Sequence, residues 1–235
     1  MDTHTWLHLI EQAVGRCLER AGWTTPPVSA IEIARRLNIT VIRDGRLASR
    51  GRCTRLEGRP LIAVADEDRP ERLEWTVAHE LGEIAFPELV ADRPDLVASL
   101  ADHDRLREQV ANLFATRLLL PTPWFRDAWR ETNGDLLALK HRFSTASHEL
   151  IAWRMLDARP HIVVSIFDQG RLTRRRGNAA VSTPPLHPLE QALLTRLNRH
   201  RTHLSLAADG LSVTGWPVDE PGWRRDILCL AADAD

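Results

Sequence analysis

An α+β protein is predicted: a mostly helical N-terminal domain with a small antiparallel sheet, then a small mixed α+β C-terminal region. Three observations predict it. Apolar residues recur at helical spacing over most of the chain up to Leu156, and only three short strand-like pieces, between Ile39 and Ala65, interrupt them. Beyond Ala158-Arg159-Pro160 the pattern changes to alternation. The third is size: 235 residues, 43% of them hydrophobic, can bury the core of one large domain or two modest ones.

Trp6, Leu7, Leu9, Ile10, Val14, Cys17 and Leu18 mark an opening amphipathic helix that ends near Gly22 and is broken by Thr24-Thr25-Pro26-Pro27. Ile31, Ile33, Ala34 and Leu37 mark a short second helix. Strands are expected at Ile39 to Arg43, Gly51 to Arg55 and Leu61 to Ala65. Asp68-Arg69-Pro70-Glu71 reads as a helix start, with Asp68 as N-cap, Pro70 in the first turn and Glu71 reaching back. Pro87 and Pro94 then punctuate an Asp-rich loop. Leu106, Val110, Leu113, Phe114 and Leu118 mark a helix stopped by Pro121 and Pro123, and Trp124 to Leu156 is helical in pieces broken at Asn133-Gly134 and Ser144-Thr145. In the tail, strands are expected at His161 to Phe167, Leu172 to Arg176, His203 to Ala207, Leu211 to Val218 and Asp226 to Ala231, with a helix over Leu189 to Leu197. The boundary falls near Ala158, giving domains 1–157 and 158–235. Residues 124–157 form a helix-turn-helix-like extension of the first.

Charged residues nearly cancel, at net charge -1, so no global field holds the chain on nucleic acid or an anionic membrane. Cys17, Cys53 and Cys229 are odd in number and widely spaced, which argues against a disulfide framework and a thiolate zinc site. The first residues lack a signal peptide's basic start and apolar core, and no apolar run approaches the roughly 18 residues that span a bilayer. A cytoplasmic protein is expected.

Chemistry concentrates in Trp75-Thr-Val-Ala-His79-Glu80-Leu-Gly82-Glu83. Residues four apart share a helix face, so His79 and Glu83 can address one ion, with Glu80 beside it as general base. Such a pair requires a remote third ligand and an open position for water. Glu108, at the start of an otherwise apolar helix face, could meet the first helix. The motif alone also allows a plainer arrangement, with His79 hydrogen-bonded in the core and both carboxylates on a solvated face.

Taken together, two segments resemble the ImmA/IrrE metallo-endopeptidases. One is Arg72-Leu-Glu-Trp-Thr76-Val-Ala-His79-Glu80-Leu-Gly82-Glu83; the other is Glu108-Gln-Val-Ala111-Asn112-Leu-Phe114-Ala115, followed by Leu118-Leu119-Leu-Pro121. The likeness covers roughly Leu7 to Leu156. It implies a zincin-like peptidase fold, metal ligands at His79, position 83 and Glu108, and Glu80 as base. It further implies a protein substrate or partner, an XRE-type helix-turn-helix repressor or antitoxin, and a role in a stress, phage or mobile-element response. Position 83 departs from the pattern: a charged oxygen donor replaces the second imidazole. One His and two carboxylates relax the preference for zinc and admit manganese or iron, and the added charge weakens activation of a bound water. The departure leaves two readings: an altered metal-dependent hydrolase, and a silent member that binds a protein without cutting it. Convergence of the three side chains favours the first; a Glu83 pair with Arg107 or Arg117 favours the second.

Direct DNA binding is not expected. The 136–156 stretch has helix-turn-helix breaks and offers Arg154, but its basic set is thin. Arg171, Arg174, Arg175 and Arg176 read as a charged, solvated strand edge. Asp104, four residues before Glu108 on the same face, and the adjacent His103 could supplement the site, but they read first as a solvated helix start and stay outside the ligand set. His161, His187, His200 and His203 lack ligand spacing, and no role for the tail is legible.

Overall fold

The computed structural model describes residues 3–91, 103–179, 183–220 and 222–232. The fold is α+β. The chain divides into two compact units, residues 1–130 with 141–147, and residues 131–140 with 148–235.

In the first unit, α1 (Thr3–Arg20) buries Trp6, Ile10, Val14 and Leu18, a single stripe at four-residue spacing. It ends at Arg20, and Gly22 just beyond takes a φ of 61°, a left-handed conformation that glycine adopts at no steric cost. Helix α2 (Ala30–Arg36) starts at Ser29, whose hydroxyl accepts the Glu32 amide. A carboxylate anchors the same end: Glu74 accepts the Ser29 hydroxyl at 2.8 Å and the Ala30 amide at 2.6 Å. These bonds occupy donors that a helix start leaves open.

Strands β1 (Thr40–Arg43), β2 (Gly51–Leu56) and β3 (Arg59–Val64) form a sheet in the order β1-β3-β2. β2 and β3 are antiparallel, joined through Glu57 and Gly58 with φ of 51° and 81°, the backbone of a tight hairpin turn. β1, however, runs parallel to β3, so the sheet is mixed where an antiparallel one was expected. The hairpin dictates only its own two strands. Central β3 buries Leu61 to Val64.

Helix α3 (Pro70–Ala91) has Pro70 at its first position, where a missing amide costs nothing. The start differs in detail from the Asp68 cap: the Arg69 carbonyl accepts the Leu73 amide, and the Glu67 carboxylate accepts the Arg69 amide. The helix also runs through Pro87, where the sequence suggested a loop. Burial of Leu89 beyond it offsets the lost backbone bond. Pro94 and the Asp-rich stretch lie outside the described residues. Helix α4 (His103–Leu119) buries Leu106, Val110, Phe114 and Leu118. After Pro121, α5 (Thr122–Glu131), α6 (Leu136–Arg142) and α7 (His148–Met155) follow, separated near Asn133-Gly134 and Ser144-Thr145 as expected.

Among the described residues the second unit has five strands: β4 (Ile162–Asp168), β5 (Arg171–Gly177), β6 (Leu204–Ala208), β7 (Leu211–Glu220) and β8 (Trp223–Ala232), in the order β5-β4-β8-β7-β6. Among the described residues every pairing in this sheet is antiparallel. Positive φ values at Gln169-Gly170 and Asp209-Gly210 explain two of them, because each pair forms a two-residue hairpin turn. Helix α8 (Pro188–His200) lays Leu193 and Leu197 on one face, against Phe167, Val213, Leu228 and Leu230. No described helix is long and apolar enough to cross a membrane.

Candidate metal centre

The centre lies where α3 crosses α4. Gly82 sets the approach: a methyl group there would sit 2.9 Å from the Ala111 Cα and 3.0 Å from the Phe114 Cβ. Two effects oppose each other in Gly82→Ala. Helix propensity favours alanine by about 1 kcal/mol, while forcing packed backbones apart costs about 1–3 kcal/mol. The contact is to backbone, which cannot yield locally, so a net loss of stability in chemical denaturation is expected. A gain would show that the crossing is not tight.

The close crossing brings His79 and Glu83 of α3 to Glu108 of α4, with one donor atom from each lying within 4.8 Å of the others. Asn112 organises two of them. Its side-chain NH2 donates to Glu108 Oε1 at 3.0 Å, which turns its carbonyl oxygen toward His79 Nδ1 at 3.2 Å. That oxygen only accepts, so Nδ1 is the donor, and in the neutral ring this tautomer leaves the lone pair on Nε2. Nε2 faces Glu108 Oε2 at 3.6 Å. A hydrogen-bonded second nitrogen on a histidine is the usual support of a metal-ligating imidazole.

Arg107 is the other partner. Its Nε donates to Glu83 Oε2, while Arg117 lies beside Glu11 of α1 at 3.8 Å. Convergence and an arginine pair on Glu83 therefore occur together. The donor set of one imidazole nitrogen and two carboxylates fits a divalent ion. Tetrahedral ligands about 2.1 Å from zinc lie about 3.4 Å apart, so modest side-chain movement would close the set.

Glu80 is buried on the side of β2. A Cβ at Gly51 would lie 2.7 Å from Glu80 Oε1, and the Cys53 amide donates to the same carboxylate. Burial pushes its carboxyl up from the usual range, opposed by nearby His79, reinforced by Glu83, and opposed by the Cys53 amide and Arg107. A carboxylate so placed is a stronger base than one in water. His103 and Asp104 are not in the cluster of possible ligands among the described residues.

Four of the basic residues considered for DNA are engaged within the protein. Arg154 is buried and paired with Asp157. On β5, Arg174 pairs with Glu149 at 3.0 Å, Arg175 with Glu190 at 2.6 Å, and Arg176 covers the Trp153 ring.

A His-Glu-x-x-Glu helix crossed by a helix bearing Glu108, beside a three-stranded sheet, defines a zincin-like peptidase domain. The family model for the IrrE N-terminal-like domain, a peptidase family, matches residues 34–154, just over half of the chain. The chain belongs to that family, the ImmA/IrrE group, with Glu83 in place of the second histidine. A solved structure of a Mycobacterium tuberculosis transcriptional regulator is similar over 96% of this chain and 76% of its own, at 19% identity and a TM-score of 0.68. At that identity the likeness concerns the fold. None of the curated proteins matches the chain significantly.

Sequence reasoning did not single out Asn112 as the residue joining two candidate ligands. Its spacing from Glu108, four residues on the same helix, was the available signal.

Proposed function

We propose that this protein is a metal-dependent endopeptidase of the cytoplasm. Its substrate is an XRE-type helix-turn-helix repressor or antitoxin, cleaved to release a stress, phage or mobile-element response. His79, Glu83 and Glu108 hold the ion, zinc in the first instance, with manganese or iron admitted by the two carboxylates. The carrying observation is the meeting of these three side chains, two of them joined through Asn112. The ion, when bound, polarises the scissile carbonyl and acidifies water. Asn112 holds His79 in the tautomer whose Nε2 is free to ligate. Glu80, its basicity raised by burial, accepts the proton of the attacking water and returns it to the leaving amine. The free cysteines support a cytoplasmic setting, and family membership supports the protein substrate.

The Arg107 contact on Glu83 favours a second reading, in which the same cleft captures a protein partner without cutting it. Elemental analysis after dialysis, with calorimetric titration of zinc and manganese, separates the two. Stoichiometric metal in the wild type that is lost in Glu83→Ala supports the enzyme. Absence of metal in the wild type, restored by Glu83→His, supports the binding module.

A further inference from the structure

We propose that Arg107 sets how tightly this centre takes a divalent cation: its guanidinium occupies the Glu83 carboxylate, and loading requires that contact to give way. The inference rests on the proposed role of Glu83 as a ligand.

Glu83 is the position at which a neutral imidazole would be expected, and its side chain is only 11% exposed. A carboxylate so shielded needs a compensating charge. Arg107, on the facing helix, supplies one by donating from Nε to Oε2. Glu108 has no comparable need, because its side chain is 62% exposed and receives the Asn112 amide. The two carboxylates are thus unequal. One is open to an incoming ion, and the other already carries a cation.

An ion held by all three donors would sit close to the guanidinium. At that range a unit charge opposes a divalent ion by more than about tenfold in affinity, even with surface-like screening. Arg107 is 51% exposed, so its guanidinium has a way out into water, but leaving costs the contact with the shielded Glu83 carboxylate. Arg107 therefore stabilises the metal-free site and weakens the loaded one.

The test is zinc titration of the full-length chain by calorimetry in four forms: wild type, Arg107→Ala, Glu83→His and the double variant. A half-exposed arginine can be removed without loss of fold, checked by circular dichroism. Arg107→Ala is expected to bind zinc at least about tenfold more tightly than wild type. In the Glu83→His background the same substitution should change affinity less than about threefold, since a neutral imidazole does not hold the guanidinium. Unchanged or weaker binding in Arg107→Ala overturns the inference and leaves the metal site standing. Zinc bound only when Glu83 is histidine, or by no form at all, overturns both.

Discussion

Glu108→Ala is expected to lower zinc affinity by about 100-fold or more while leaving the thermal stability of the metal-free protein within about 0.5 kcal/mol of wild type. The two halves of this expectation have different origins. Binding at a protein zinc site is worth about 10–16 kcal/mol over all its donors, so loss of one of three protein ligands removes several kcal/mol. Stability is spared because the Glu108 side chain is largely exposed and its one described hydrogen-bond partner, the Asn112 NH2, can bond to water instead. Titration calorimetry reads the first half and a melting curve without metal reads the second. Equal zinc binding in wild type and variant would remove Glu108 from the ligand set. A large loss of stability would make it a structural residue.

Glu190→Ala should destabilise the C-terminal unit by about 3–5 kcal/mol. Glu190 is fully buried, and it gathers four donors in a small volume. Arg175 approaches both oxygens, at 2.6 and 2.8 Å, the Ser165 hydroxyl lies at 3.0 Å, and the His187 amide at 2.9 Å. The last bond is half of a capping box that starts α8. Removal of the carboxylate leaves a mostly buried guanidinium uncompensated, and an unpaired buried charge costs far more than the intact pair contributes. A fall in the denaturant midpoint at unchanged slope is the expected readout. The double variant Arg175→Met with Glu190→Leu should recover most of the loss. Failure to recover would assign the cost to the lost helix cap, not to the stranded charge.

Legibility in the sequence followed the range of the interaction involved. Helix faces, glycine and proline breaks and the alternating strands of the tail depend on residues a few positions apart, and these elements lie close to where periodicity placed them. The expectation failed where a distant contact outweighed a local rule. Pro87 lies within α3 because Leu89 is buried beyond it. The direction of β1 was set by its pairing with β3, which no local pattern encodes.

By itself, then, the sequence determined the α+β class, the His-Glu-x-x-Glu face of one helix, the second motif on the next helix, and the family to which that ordered pair points. Tertiary structure alone decided how close the two helices come, through the bare face of Gly82 against Ala111. It also decided that Asn112 joins His79 to Glu108, and that Arg107 rather than Arg117 sits on Glu83. The reason is geometric. Spacing along one helix states which side chains share a face, whereas contacts between α3 and α4 depend on the crossing of two helices whose motifs are 24 to 33 residues apart.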